Sequence, residues 1–295
     1  MVKLKDKKQE KDPNKGMGPW REMWYRLRKN KFAVVGLIII IFLILVAIFA
    51  DYIAPFTYRQ QDLLNRFATP NSTHWFGTDN FGRDIFSRVV YGSRVSLRVG
   101  LISVGIALVI GGAIGAIAGY RGGWFDSISM RIIDIMLAIP SMLLAIAIVS
   151  TLGGGLNNVM IAVGIGSIPQ YARIVRASVL SLKEQQFIEA ARALGTKNNK
   201  IIFKHIVPNT LAPVIVQSTL GVASAILAAA ALGFLGLGLE PPRPEWGAML
   251  NDGRHYLRDY PHMTTFPGLA IMVTILSLNL LGDGLRDALD PRLKD

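Results

Sequence analysis

The chain has 295 residues, 51% of them apolar, with no cysteine and a net charge of +12. Several of its apolar runs reach about 20 residues, the length that crosses a bilayer and longer than a water-soluble protein of this size shows. The lack of cysteine excludes a disulfide framework and a thiolate metal site. The positive charge gathers at the N-terminus and beside the apolar runs, which argues against nucleic-acid binding.

Residues 1–31 are polar and basic. Their first part is predicted to be disordered. WREMWYRL, Trp20 to Leu27, mixes aromatics with arginine as an amphipathic helix on a charged lipid surface does. The uncharged run 32–50 is too long for the core of a cleaved signal peptide and reads as an uncleaved first span.

The segment 51–94 is polar again. In HWFGTDNFGRDIFSRVVYGSRVSL, His74 to Leu97, the acids Asp79 and Asp84 stand close to Arg83 and Arg88. This reads as an interfacial elbow, with aromatics at headgroup level and charges paired in water, in preference to a catalytic or metal cluster.

The second span, about 95–120, carries Gly111, Gly115 and Gly119 at four-residue intervals, a stripe that lets another helix approach closely. Arg98 lies near its outer end and can snorkel. A third span at about 127–150 contains Pro140, and a fourth at about 159–175 contains Pro169; each proline is expected to kink its helix. Asp134 follows Arg131 by three residues, a spacing that pairs them on one face and makes a structural ion pair a better reading than a proton relay. A Gly-rich turn, 151–158, joins the two spans.

A fifth span, about 210–239, is dense in small residues (GVASAILAAAALGFLGLGLE), with Gln217, Ser218, Thr219 and Ser224 adding mild polarity. Such a helix suits the inside of a protein facing a wet path. For each of these residues, tight packing without conduction is the alternative. The loop 240–265 begins Pro-rich and holds Trp246, Tyr256 and Tyr260, which suit an interface. His255 and His262 with Asp252 and Asp259 offer a weak metal signal. A sixth span covers about 266–281, before the tail GDGLRDALDPRLKD. The fold class is therefore an all-α integral membrane protein with about six transmembrane helices.

Between the fourth and fifth spans lies EAARALGTKNNKIIFKHIVPN, Glu189 to Asn209. Its charges, Arg192, Lys197, Lys200 and Lys204 among them, are too dense for hydrocarbon. Phe187, Ile188, Ala191 and Leu194 recur at helical spacing until Gly195 interrupts them. Ile201, Ile202, Phe203, Ile206 and Val207 resume the pattern, and Pro208 is expected to end it. The stretch reads as two short helices with a Gly195 elbow, lying along the membrane.

With both termini inside, the basic tail, Arg121, Arg131 and the cations around this loop fall on the cytoplasmic side, and eight arginines fall outside. The excess agrees with the positive-inside rule. There is no G-x-x-x-x-G-K-[ST] phosphate loop, so the chain is not expected to hydrolyse ATP. Acids and histidines are nearly absent from the spans, which argues against a proton-driven carrier.

Glu189, Ala190, Ala191, Gly195 and Pro208 match, at the same spacing, the cytoplasmic loop of ABC importer permeases. His205, standing where isoleucine is usual, followed by Pro208-Asn209, is similar to the dipeptide, oligopeptide and nickel branch of that family. The 74–97 segment and the tail resemble the same branch. The resemblance covers nearly the whole chain after Lys31 and implies the following expectations. The fold is that of a type I ABC importer permease, with a cytoplasmic tail at 1–31 and a transmembrane domain at 32–295. A coupling loop at about 183–209 meets an ATPase groove through Glu189, Ala190, Ala191, Gly195, His205 and Pro208. The fifth span lines the translocation pathway, with Gln217, Ser218 and Ser224 as candidates. The partners are a second homologous permease, two ATPase subunits or a homodimer of them, an extracytoplasmic solute-binding protein and membrane lipid. ATP and magnesium are held by the partners, and this chain holds no cofactor or metal. The protein sits in a bacterial or archaeal cell (inner) membrane. The rival readings are an ion-coupled carrier and a membrane scaffold.

Overall fold

The computed structural model describes residues 19–289, and their regular structure is helical. The beginning of the basic tail and the last six residues, on which part of the sequence reading rests, lie outside the described residues.

The amphipathic segment forms α1 (Pro19–Lys29). Leu27 is buried against Leu285 and Ala288, while Trp24 and Tyr25 stay exposed beneath the cations of Arg28 and Lys29. Asn30 then caps α2 (Lys31–Ile48), accepting from the amides of Phe32 and Ala33. A short α3 (Ala50–Ile53) follows.

α4 (Ile85–Arg121) is far longer than the predicted span and absorbs the second half of the supposed elbow. Asp84 caps it through the Ser87 amide at 2.7 Å. α5 (Gly123–Ala138) and α6 (Ser141–Leu152) are the predicted third span, bent by 90° between them. Ile139, forced out of the helical region by the following Pro140, has ψ 126° and ends α5. By contrast, α7 (Leu156–Lys183) runs on through Pro169 as one helix.

Two short helices follow: α8 (Gln186–Ala193) and α9 (Asn198–Ile201). A π-turn, Ile202–Ile206, joins α9 to α10 (Val207–Phe234). Last come α11 (Trp246–Gly253) and α12 (His262–Leu289).

Among the described residues, four helices are long and apolar enough to cross a membrane: α2, α4, α10 with its preceding π-turn, and α12. The bent α5–α6 pair makes a fifth if it counts as one span. α7 has the length of a span, but Gln170, Arg173 and Arg176 dilute its apolarity. The reason is its place in the bundle. One face of it is buried along its length, from Val159 to Val179, against the rest of the bundle. Its closest neighbour is α4, and the glycine stripe makes that contact. Gly111 faces the Ile168 carbonyl and Gly115 the Ala172 carbonyl, each too near to admit a side chain, and Gly119 faces the Arg176 carbonyl at a tight 3.0 Å from where a Cβ would stand. The main core joins α4, α6, α7 and α10.

The elbow is a correction. Asp79, Arg83, Asp84 and Arg88 are paired, but they are buried, not in water. Arg83 Nε donates to Asp79 Oδ2 at 2.5 Å, and its Nη2 reaches Asp252 at 3.3 Å. Arg88 donates to the Pro242 carbonyl at 3.2 Å. Two arginines that share two acids and carbonyls are satisfied without solvent, which the local spacing alone does not reveal. α11 is what covers them. Trp246, taken as an interfacial residue, is 1% exposed, and its Nε1 donates to the Val89 carbonyl at 3.0 Å. Gly92 leaves room for the ring, and Gly247 lies directly on Ala230.

Candidate functional site

The α8–α9 loop is built as a two-sided object. Its inner side is the fully buried Ile188, with Ile201 and Ile206; these meet Tyr120, Val175, Val179 and Val214. The ends of α4, α7 and α10 are thereby held in one apolar cluster with the loop. The outer side is exposed: Glu189, Ala190, Ala193 and Leu194, the last 85% accessible. Ala191 lies between the two sides, half-buried.

Gly195 ends α8 in the left-handed region at φ +72°. Its amide donates to the Arg192 carbonyl at 2.9 Å, and the Thr196 amide to the Ala191 carbonyl at 3.0 Å. This crossed pair is a Schellman cap, which satisfies the carbonyls of the last turn and favours glycine at its left-handed pivot. Two further contacts fix the loop to α4. Tyr120 Oη donates to Asn198 Oδ1 at 2.7 Å, and the Arg192 guanidinium stands 5.7 Å from the Tyr120 ring centroid.

Pro208 does not end the helical pattern as its sequence suggests. It sits in the first turn of α10, where its missing amide is no loss, and the chain passes into it through the π-turn. His205 is half-buried in that turn, and its carbonyl accepts from Asn209 Nδ2 at 2.6 Å. The π-turn also turns Phe203 outward, 73% exposed.

The polar residues of α10 separate. Ser224 lines a cavity of about 680 Å3 between α10, α7 and the α5–α6 bend. Gln217 and Ser218 do not line it; both are half-buried, and the Gln217 carbonyl accepts from Tyr171 Oη at 3.3 Å. The Thr219 hydroxyl bonds back to the Ile215 carbonyl within its own helix. The residues that sequence reasoning missed here are on α7. Arg173, Gln170 and Ser167 line the same cavity and recur every three residues on one helix face. The recurrence was readable, but the cavity depends on the bend at Pro140.

Asp134 also has a different partner from the one expected. It accepts from Arg173 at 2.5 Å, across from α5 to α7, and not from Arg131 on its own helix. Arg176 makes a bidentate bridge to Asp126 at 2.6 Å, in parallel. Two ion pairs thus hold α5 to α7.

On the opposite face, the weak metal signal dissolves. Asp252 is taken by Arg83, and the buried His262 bonds through Nε2 with the Thr78 carbonyl at 3.2 Å. Among the described residues no group of acids and histidines is arranged to hold a metal ion. Burial pushes the Asp252 carboxyl above its ordinary range, against the pull of Arg88 and Arg83. It does the same to Glu245, which caps α11 by accepting from the Gly247 and Ala248 amides.

Three comparisons bear on this arrangement. The family model described as binding-protein-dependent transport system inner membrane component matches residues 111–295. A second, for the N-terminal transmembrane domain of oligopeptide transport permease C, matches residues 18–70. The dipeptide transport system permease protein DppC of Alkalihalophilus pseudofirmus is 55% identical over 283 residues, covering 96% of this chain and 93% of that protein. The glutathione transport system permease protein GsiD of Escherichia coli O1:K1 is 50% identical over 285 residues, with the same coverage. Among solved structures, a chain of the MetNI methionine ABC transporter in inward facing conformations aligns with TM-score 0.57 and 19% identity, covering 69% of this chain and 96% of that one. That likeness is one of fold: the all-helical type I importer permease.

Proposed function

The chain belongs to the family of binding-protein-dependent transport system inner membrane components, and on that premise we propose that it is one of two permease subunits of an ATP-driven importer of di- and oligopeptides. Proteins of this family are permease subunits and not enzymes themselves. ATP and magnesium belong to a pair of separate ATPase subunits; a second permease completes the pathway, and an extracytoplasmic binding protein delivers the cargo. The relatives named for dipeptide and glutathione transport support the substrate class, since glutathione is itself a small peptide.

One observation carries the reading: the two-sided α8–α9 loop. On its outer face the small Ala190, the apolar Leu194 and the charged Glu189 stand clear of the body, as a helix entering a groove of a partner needs. Its inner face is locked to the ends of α4, α7 and α10. A push on α8 from a closing ATPase pair therefore reaches three helices at once, two of which wall the cavity at Ser224. The Schellman cap keeps α8 a rigid, short lever. His205 and Pro208 act in the reading as the joint between lever and α10. Gln217 and Ser218 line the path in the outward-open state. The loop faces the cytoplasm, as do both termini, consistent with the basic residues around it.

The test is reconstitution. The chain co-purified with its neighbouring permease, ATPases and binding protein should import labelled dialanine into proteoliposomes only when ATP is supplied. If the chain purifies alone while those neighbours are expressed, or if uptake proceeds without ATP, the importer reading is wrong and a carrier or scaffold takes its place.

A further inference from the structure

The cavity beside α10 has one charged residue among those that line it. The Arg173 side chain, 56% exposed, lines it with Gln170, Ser141, Ser167 and Ser224, the last two donating their hydroxyls to carbonyls of their own helices; the remaining walls are apolar or glycine. At about 680 Å3 the space is in the range of small-molecule sites. The bridge to Asp134 engages one terminal nitrogen of Arg173. A guanidinium carries five donors in a fork suited to a carboxylate, so that bridge leaves capacity for a second acid.

The broken span adds to this. α6 starts with Pro140 at its cap, which supplies no side-chain acceptor to the first-turn amides. Ser141 and Met142, the first two helical residues, both line the cavity. The positive end of a half-helix and a guanidinium thus meet in one space, and among the described residues that line it none is an acid, Asp134 bonding the guanidinium from off the lining. Half-helices at broken spans serve anionic groups of substrates in this manner.

We propose that this cavity is a substrate subsite that recognises a carboxylate, with Arg173 as the principal donor, Gln170 and Ser224 as flanking hydrogen-bonding groups and Asp134 as the residue that positions the guanidinium. The assignment rests on the reading of the chain as a peptide importer, because a free carboxylate is what every unmodified peptide of any sequence presents. A purely bracing role for Arg173, holding α5 to α7, is the competing account.

The chain contains no cysteine, so a single thiol introduced by Ser224→Cys reports on this cavity alone within it. In the assembled complex, the labelling rate of that thiol by an anionic methanethiosulfonate reagent is compared with that of a cationic one of the same size, read on the peptide containing the thiol. The anionic reagent should react about twofold faster or more, because Asp134 offsets part of the Arg173 charge in this partly wet cavity. Adding Arg173→Gln should erase the preference or reverse it, because Asp134 then stands without its partner; Arg173→Lys should keep it, and Asp134→Asn should enlarge it. Dialanine at millimolar concentration should slow labelling, and its C-terminal amide should not. Equal rates for the two reagents, a preference that survives Arg173→Gln, or equal protection by both peptides or by neither, would overturn the assignment. Failure of the importer reading shows separately, as no ATP-driven dialanine uptake by the unsubstituted complex, and the labelling rates do not depend on it.

Discussion

Tyr120 at the end of α4 donates its hydroxyl to Asn198 Oδ1 at 2.7 Å, tying the first residue of α9 to a helix that ends far from it in sequence. The ring also carries the Arg192 guanidinium, so one aromatic residue holds both arms of the loop. Tyr120→Phe removes the hydrogen bond and keeps the ring. Asn198 is exposed and regains water, so the stability cost should stay near 1 kcal/mol or below. On the proposal that α8 is a coupling lever, coupling is the sensitive quantity, because a loosened lever dissipates part of each stroke. Dialanine imported per ATP hydrolysed should fall severalfold in proteoliposomes while the detergent melting temperature changes little. An unchanged ratio would show that the tie is structural only.

The contact between α4 and α7 leaves no space for a side chain at Gly111 or Gly115 of its small-residue stripe. A Cβ on Gly115 would overlap the Ala172 carbonyl, whereas one on Gly105 of the same helix meets nothing within 4 Å. The pair makes a controlled comparison. Gly115→Ala should force the backbones apart, costing about 1–3 kcal/mol, and reduce the yield of folded chain in size-exclusion chromatography. Gly105→Ala should be neutral or slightly stabilising, since alanine favours a helix by up to about 1 kcal/mol. Equal tolerance at the two positions would mean that the stripe is not the packing seam.

Much of this arrangement was legible from the chain because lipid makes harsh demands on pattern. The long apolar runs, the Gly111, Gly115 and Gly119 stripe and the amphipathic segment at Trp20 to Leu27 each have one physical use. What was not legible came from partners distant in sequence. Asp134 was matched with Arg131 because they are neighbours, and the tertiary fold supplied Arg173 instead. Arg83 and Arg88 read as solvated because nothing local signalled that α11 would cover them. Trp246 looked interfacial by residue type, and only its bond to Val89 shows it as the plug of that cover. Pro208 was read as a stop, although the same residue is equally suited to a helix start. At the loop, the Gly195 elbow followed from spacing, whereas its function rested on resemblance and still rests on the proposal above.

The two acids of the buried charge cluster under α11 should respond differently to substitution. Asp79 is 5% exposed and bonded to Arg83 Nε. Asp79→Asn leaves two buried arginines with only Asp252, and should destabilise by about 3–5 kcal/mol. Asp252 is different, because burial, with the Asp79 charge adding to it, raises its carboxyl above the ordinary 3.8 despite Arg88 and Arg83. A raised folded value means that the folded chain holds this proton more tightly than the unfolded chain. Its contribution therefore favours folding as pH falls through the window above 3.8, and is lost as pH rises through the raised value. Asp252→Asn removes that dependence. Thermal unfolding of the detergent-solubilised complex between about pH 4 and 7 should show the variant gaining on the unsubstituted chain as pH increases. A difference that is constant with pH, or moves the other way, would contradict the raised carboxyl.

Gly195 separates backbone strain from steric conflict, because a Cβ there would meet nothing within 4 Å although φ is +72°. Any loss on substitution must then come from the left-handed conformation itself. Asparagine visits that region readily, alanine at a cost of about 1–2 kcal/mol, and a β-branched residue with more difficulty. Uptake should fall in the order Asn, Ala, Val, and Gly195→Val should abolish it. Membrane insertion should be unaffected in all three, since the residue is exposed and no core contact depends on it. Glu189→Lys tests the same lever from its outer face. Glu189 is exposed and makes no ion pair among the described residues, so reversing its charge should leave the chain itself intact and act only on what docks there. The expected result is loss of both ATPase co-purification and uptake, with normal membrane insertion. Normal transport by Gly195→Val or Glu189→Lys would show that α8 is not the lever, and so would failure of either to insert, because the loop would then be serving the fold instead of a partner.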